Sequence, residues 1–236
     1  MYLSRIQLNK ARRGGRKLLG SPQAMHAAVL SSFPQPDEVR GRVLWRVDTN
    51  GSQDWLYVVS GPQPDFAHIV EQAGWPTTQE GWTTRSYEPL LERLAEGQTW
   101  AFRLTANPVR TSRATKIVDG LPRAQPDDAE VKPKRYAHVT VAQQIRWLAE
   151  RCQRWGFTIP EAEDTGDARG PEGNIVVHSR RTDRFQRQGN TVTISKASFD
   201  GLLEVTNVDS LRKTLIDGAG PAKAYGCGLL TLAPVT

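Results

Sequence analysis

Histidine is the side chain that exchanges protons near neutral pH, with an unperturbed pKa of about 6.5. This chain has four, His26, His68, His138 and His178, scattered singly. Cys152 and Cys227 stand far apart with no CxxC pair, so no spacing describes a zinc site or a disulfide framework. His26 differs from the others by its context, Ser21-Pro22-Gln23-Ala24-Met25-His26. Serine as N-cap and proline at the first helical position predict that a helix begins here. Gln23, three residues before His26, falls on the same side of that helix. Its amide donates hydrogen bonds but exchanges no proton. Taken alone, a single helical histidine is more commonly structural than catalytic. His68, His138 and His178 have no comparable context and are read as structural or exposed.

The densest motif is Gly218-Ala219-Gly220-Pro221-Ala222-Lys223-Ala224-Tyr225-Gly226-Cys227-Gly228. Gly218, Gly220 and Gly226 would let backbone amides approach an anion, and Lys223 adds a point charge, a combination suited to holding phosphate. The familiar nucleotide loops do not fit. A P-loop requires Gly-Lys-Ser/Thr, and a dinucleotide fingerprint follows a strand and opens a helix. Here the loop follows a predicted helix and opens a predicted strand. Tight helix–strand packing explains the same glycines equally well, and the two readings stand level.

Basic residues outnumber acidic ones 31 to 25, a net charge of +6. Their placement says more than their number. Residues 1–20 carry Arg5, Lys10, Arg12, Arg13, Arg16 and Lys17 and no acid. Residues 178–189 carry Arg180, Arg181, Arg184 and Arg187 against Asp183 alone. Clustered positive charge is the footprint of a polyanion partner, although two unrelated solvated loops would produce the same pattern.

The elements that must position these residues follow from periodicity. Tyr2–Asn9 alternates as a strand, and Met25, Ala28, Val29 and Phe33 line one face of the helix opened by Ser21. Arg42–Asp48 and Trp55–Ser60 read as strands joined through Asn50-Gly51, a hairpin turn. Pro64–Ala73 reads as a helix closed by Gly74, and Thr99–Thr105 alternates again as Trp100, Phe102 and Leu104. This βαββαβ order predicts a ferredoxin-like domain, the RRM architecture, over 1–109. Residues 110–137, polar and proline-containing, read as a linker or mobile loop. A second unit spans 138–236. Thr140 and Gln143 form a capping-box pair, and Ile145, Leu148, Ala149, Cys152 and Trp155 form a helical stripe. Two strands about Gly189-Asn190, a helix over Asp209–Ile216 and a strand over Leu229–Leu232 follow. No first strand is evident for this unit. The fold class is thus α+β, two tandem ferredoxin-like domains. No apolar run approaches the roughly 20 residues of a membrane helix, and the alternating N-terminus is unlike a signal peptide. A cytoplasmic protein with no membrane partner is expected.

Several segments together resemble one family. They are Tyr2-Leu3-Ser4-Arg5-Ile6-Gln7-Leu8-Asn9, Pro22–His26, Leu44-Trp45-Arg46-Val47, Phe102–Pro108, His138-Val139-Thr140 leading to Trp147-Leu148, and Gly218–Gly228 running into Leu229-Leu230-Thr231-Leu232. In order and spacing the chain is similar, end to end, to the CasE family of CRISPR repeat-processing endoribonucleases, the type I-E member of the Cascade complex. That resemblance implies two ferredoxin-like domains and binding of the stem-loop of the CRISPR repeat transcript. It further implies metal-free, cofactor-free cleavage at the 3′ base of the stem, leaving a 2′,3′-cyclic phosphate and a 5′-hydroxyl. The enzyme then stays on its product, pre-crRNA having become mature crRNA, among Cascade subunits. On this reading His26 is the proton-transfer residue. Gln23 stands where the family commonly has a tyrosine, so a positioning role survives there and a proton-transfer role does not. Lys10, Arg13 and Arg16 are candidates for charge stabilisation, Arg180 and Arg181 for gripping the stem, and Lys223 with its glycines for holding backbone. A non-catalytic RNA-binding subunit is the alternative. A generic tandem RRM would show aromatic RNP motifs, which are absent from the sequence.

Overall fold

The computed structural model describes residues 1–34, 42–75, 81–112, 116–118, 121–123, 134–160, 174–187 and 189–235. Strand β1 (Tyr2–Leu8) buries Ser4, Ile6 and Leu8 on one face, the alternation its sequence predicts. Helices α1 (Arg13–Gly20) and α2 (Pro22–Leu30) follow, then β2 (Leu44–Asn50), β3 (Gln53–Ser60), α3 (Ala67–Ala73), β4 (Trp82–Ser86) and α4 (Glu88–Arg93). The four strands form an antiparallel sheet in the order β2-β3-β1-β4. Ile6, Leu8, Trp45, Leu56 and Val58 pack on one face against Leu18, Met25, Val29 and Ile69 of the helices.

The second unit comprises β5 (Thr99–Ala106), β6 (Val109–Ser112), β7 (Lys116–Val118), β8 (Leu121–Arg123), β9 (Lys134–Ala137), α5 (Val141–Cys152), β10 (Phe157–Thr158), β11 (Ile175–Arg187), β12 (Asn190–Val205), α6 (Val208–Asp217) and β13 (Leu230–Pro234). Its sheet runs β10-β12-β5-β13, with β11 also paired to β12. Taken as β5-α5-β11-β12-α6-β13, it repeats the βαββαβ plan, and both units are ferredoxin-like.

Two boundaries differ from expectation. Thr99–Thr105 does not close the first sheet. As β5 it lies between β12 and β13, with Leu104 opposite both Phe199 and Leu230. It is the first strand that the second unit lacked, so the sheets divide the chain before Thr99 rather than at 109. The fourth strand of the first sheet is β4, from the Trp/Thr-rich piece. Within 110–137, β6 pairs with β9 and β7 with β8, so the described part of the expected linker is laddered backbone.

The two units share a seam. Leu44 and Val59, on the face of the first sheet turned from its helices, are 0% exposed and join the core formed by Phe102, Leu104, Trp147, Phe199 and Leu230. Arg46 crosses the seam, 2% exposed. Its guanidinium donates to the Arg103 carbonyl (2.9 Å), the Leu229 carbonyl (2.8 Å) and Thr231 Oγ1 (2.9 Å). It also pairs with both Asp48 oxygens, at 2.6 and 2.8 Å. Arg103, on the helix-free face of the second sheet, meets Asp48 at 3.5 Å and Asp200 at 2.6 Å.

Candidate functional site

Helix α2 begins as its sequence predicts. Ser21 Oγ accepts from the Ala24 amide (3.2 Å), Pro22 fills the first turn, and Met25 and Val29 are buried to 1% and 0% exposure. Anchored by that face, α2 presents Gln23 and His26 on a half-buried flank. His26 Nδ1 is shielded from solvent and has no hydrogen-bond partner among the described residues. Burial, and after it the Arg187 guanidinium, hold the His26 pKa below the ordinary 6.5.

Two remote segments complete this neighbourhood. The end of β11 reaches α2, where Gln23 Nε2 donates to the Gln186 carbonyl at 2.9 Å. The 3-10 turn Lys223–Tyr225 of the glycine loop packs against α2 and β2. Arg187 joins the two segments. Its Nη1 donates to the Tyr225 hydroxyl at 2.7 Å, and the Tyr225 ring lies 4.9 Å from that of Phe185. His26, its pKa held below the ordinary value, therefore lies within the field of Arg187, which in turn bonds the Tyr225 phenol, on elements of both units.

The glycine loop is explained first by packing. Gly226 has φ +80°, and a Cβ there would lie 2.6 Å from Cζ3 of the buried Trp45. Gly218, also at φ +80°, would meet Leu44 Cδ2 at 2.7 Å. Only glycine takes that backbone conformation without cost and lets the loop press onto β2. Gly220 lies against Trp147. Burial, then Arg42, lower the Lys223 pKa.

The other sequence candidates divide. Arg16 donates to the Ala11 and Lys10 carbonyls at 2.6 and 3.4 Å, so it secures the turn into α1, while Lys10 and Arg13 are exposed. Among the described residues no hydrogen bond or ion pair links these three to Gln23 or His26. Their neighbour Arg12 caps α3 by donating to the carbonyls of Val70, Gly74 and Glu71. On β11, Arg180 donates to the Val139 carbonyl at 3.2 Å. Arg181 meets Asp183 at 2.6 Å, and Lys196 holds the other Asp183 oxygen at 2.8 Å. Burial acts to raise the Asp183 pKa, but these two hydrogen-bonded cations outweigh it and the group stays below the usual range. Arg181 also lines a seam cleft of about 240 Å³ with Trp45, Asp48, Arg103, His178 and Lys196.

His68 Nε2 lies 3.0 Å from the Ala28 carbonyl, and His178 lies 3.4 Å from Asp200. Burial, followed by Arg110, lowers the His138 pKa. Both cysteines are buried and free. Among the described residues no cluster of three or more His, Cys, Asp or Glu is placed to hold a metal ion, and no helix is long and apolar enough to cross a membrane. The residues that sequence reasoning did not single out are Gln186, Arg187 and Tyr225. Arg187 was visible within the basic cluster and Tyr225 within the glycine loop, but neither carried a signal placing it at α2.

Two ferredoxin-like units in tandem, with a histidine flank of one meeting a strand end and a glycine loop of the other, define a tandem ferredoxin-like protein with a histidine at the junction of its units. The chain belongs to the CRISPR associated protein family, whose model matches residues 1–234. It is 29% identical over 240 residues to the CRISPR-associated endoribonuclease Cse3 of Thermus thermophilus, spanning 99% of this chain and 100% of that protein. It is 27% identical to the CRISPR system Cascade subunit CasE of Escherichia coli strain K12, with 100% of both chains covered. A solved structure of Thermus thermophilus Cse3 bound to an RNA representing a pre-cleavage complex superposes with a TM-score of 0.74 at 28% identity, covering 99% of this chain and 98% of that one. The resemblance to the CasE family is borne out.

Proposed function

We propose that this protein is a metal-independent endoribonuclease that binds the stem-loop of a CRISPR repeat transcript and cuts at the 3′ base of the stem. The observation that carries this reading is the convergence of His26, Arg187 and Tyr225 at the junction of the two units, in a chain whose relatives are named as CRISPR endoribonucleases. With its pKa below 6.5, His26 is neutral at pH 7 and takes the proton from the ribose 2′-hydroxyl. The 2′-oxygen attacks the adjacent phosphorus and the bond from phosphorus to the 5′-oxygen breaks. That oxygen takes a proton from water, and His26 later releases the 2′-proton to solvent. The products are a 2′,3′-cyclic phosphate and a 5′-hydroxyl. The Arg187 cation opposes the charge that accumulates on the phosphoryl oxygens. The basic strand β11 grips the stem through phosphates, as A-form RNA is gripped by shape rather than base edges. Retention of the product would make the protein the RNA-bound subunit of a Cascade complex.

The test is incubation of the purified protein with its cognate repeat RNA in EDTA, beside His26→Ala. Cleavage should persist in EDTA and slow by at least about 100-fold in the variant, the low end for losing a general acid or base. Stem-loop affinity should hardly change. A variant that cuts within a few-fold of wild type removes His26 from the reaction. Tight binding with no cleavage by either protein would make the chain a binding subunit instead.

A further inference from the structure

Resting on the His26 reading above, we propose that the Tyr225 hydroxyl donates a hydrogen bond to a non-bridging oxygen of the scissile phosphate, making Tyr225 a further catalytic residue of the site.

Three observations place it there. The turn Lys223–Tyr225 lies against α2, the helix of Gln23 and His26. Its entry is held in an unusual conformation, since Ala222 has φ +64° and is the one non-glycine residue with positive φ among the described residues. A backbone outlier of this kind persists where its surroundings over-determine it, and such outliers gather at functional sites. The side chain is then held at two points. The Phe185 ring lies 4.9 Å from its ring centroid, and Arg187 bonds its hydroxyl oxygen at 2.7 Å.

The direction of that hydrogen bond decides the chemistry. Guanidinium only donates, so Arg187 Nη1 occupies a lone pair of the phenol oxygen at 2.7 Å. The O–H proton of Tyr225 is left to be donated elsewhere, and the side chain is only half-buried. Gln23, by contrast, already directs an amide hydrogen to the Gln186 carbonyl at 2.9 Å. A fixed O–H donor backed by a cation suits a phosphoryl oxygen, whose negative charge grows as the 2′-oxygen bonds to phosphorus. A preorganised donor strengthens its bond as that charge develops, so it lowers the barrier more than it tightens binding. No proton is transferred by Tyr225 in this step. The 2′-proton still goes to His26.

Tyr225→Phe tests this while keeping the ring, its contact with Phe185 and the turn. At saturating stem-loop RNA the single-turnover rate should fall by about 100-fold, the low end for removing one oxyanion donor. The dissociation constant should stay within about threefold, and so should the Tm-derived folded fraction at the assay temperature. Replacing each non-bridging oxygen of the scissile phosphate by sulfur supplies a readout that packing alone would not move. One of the two sulfur substitutions should slow the wild-type protein far more than it slows Tyr225→Phe. A rate within about threefold of wild type, a loss confined to affinity, or identical sulfur effects in both proteins each overturn the assignment. The two readings fail separately. If His26→Ala cuts normally, the site itself is misplaced; if His26→Ala is inactive while Tyr225→Phe is unimpaired, only the role of Tyr225 falls.

Discussion

Replacing Arg46 by methionine removes a buried side chain that bonds both units while keeping most of its apolar length. At 2% exposure the guanidinium is beyond the reach of solvent, and its loss leaves Asp48 without its bidentate partner. Removing one member of a buried ion pair costs about 3–5 kcal/mol, because the remaining charge stays desolvated. Two terms adjust that figure. Arg103, at 3.5 Å from Asp48, supplies a weaker substitute partner and reduces the cost. The buried Leu229 carbonyl loses a donor, which raises it by up to about 1–3 kcal/mol, while the Arg103 carbonyl keeps Thr231 Oγ1 as a donor at 3.4 Å. We set the net at about 4 kcal/mol. In a chain of this size each kcal/mol moves the melting temperature by about 2–4 °C, so Arg46→Met should melt about 8–16 °C below wild type. Circular dichroism or calorimetry reads this directly. The control is Arg5→Met, an exposed residue whose guanidinium lies over the Trp55 ring, where a surface change should stay within about 0.5 kcal/mol. If the two variants melt within about 2 °C of each other, Arg46 does not hold the seam and the energetic argument fails.

Cleavage by a neutral imidazole should rise with pH to a plateau through a midpoint below 6.5, where burial and Arg187 place His26. A neighbouring cation opposes protonation, so Arg187→Gln should move that midpoint upward, part of the way because burial is the larger cause; single-turnover rates between about pH 5 and 8 check it, and a downward move contradicts the assignment. Gly226→Ala would force alanine into φ +80° at about 1–2 kcal/mol and set its Cβ 2.6 Å from Trp45. Its melting temperature should therefore drop by several degrees, and an unchanged one would refute the close approach. The double variant Arg180→Ala with Arg181→Ala should weaken stem-loop binding and flatten its dependence on salt, because fewer counterions are released. An unaltered slope would move the stem-binding surface away from β11.

Local structure was legible wherever one residue type dictates it. Ser21-Pro22 and the Thr140–Gln143 pair cap α2 and α5 as their chemistry requires. Gly51 and Gly189 turn their hairpins with positive φ. Strand membership was not legible. The alternation of Trp100, Phe102 and Leu104 identifies a strand with one buried face, but nothing local distinguishes one sheet from the next, and β5 belongs to the second. Strand β4 was obscured because Trp82-Thr83-Thr84-Arg85-Ser86 is only partly buried and shows no clean alternation. Helix α1 was hidden by Gly14 and Gly15, poor helix formers whose absent side chains let Gln72 and Asn9 approach. Of the candidate site, α2 and its two side chains could be read from the sequence. Arg187 and Tyr225 could not, since 38 positions separate them and only the folded β11 end and glycine loop bring them together.

An RRM ordinarily reads RNA by spreading unpaired bases over the open face of its sheet, where exposed aromatic rings stack on them. In this protein the platform of the first sheet is already taken up. The helix-free face of the first sheet buries Leu44, Val59 and Arg46 in the seam, and the helix-free face of the second offers Arg103, itself tied to Asp48 and Asp200. Turned toward each other, the two copies of the fold have traded the open face of the first sheet for a shared frame. The end of β11 and the glycine loop lie at the margin of that frame, where the two units meet.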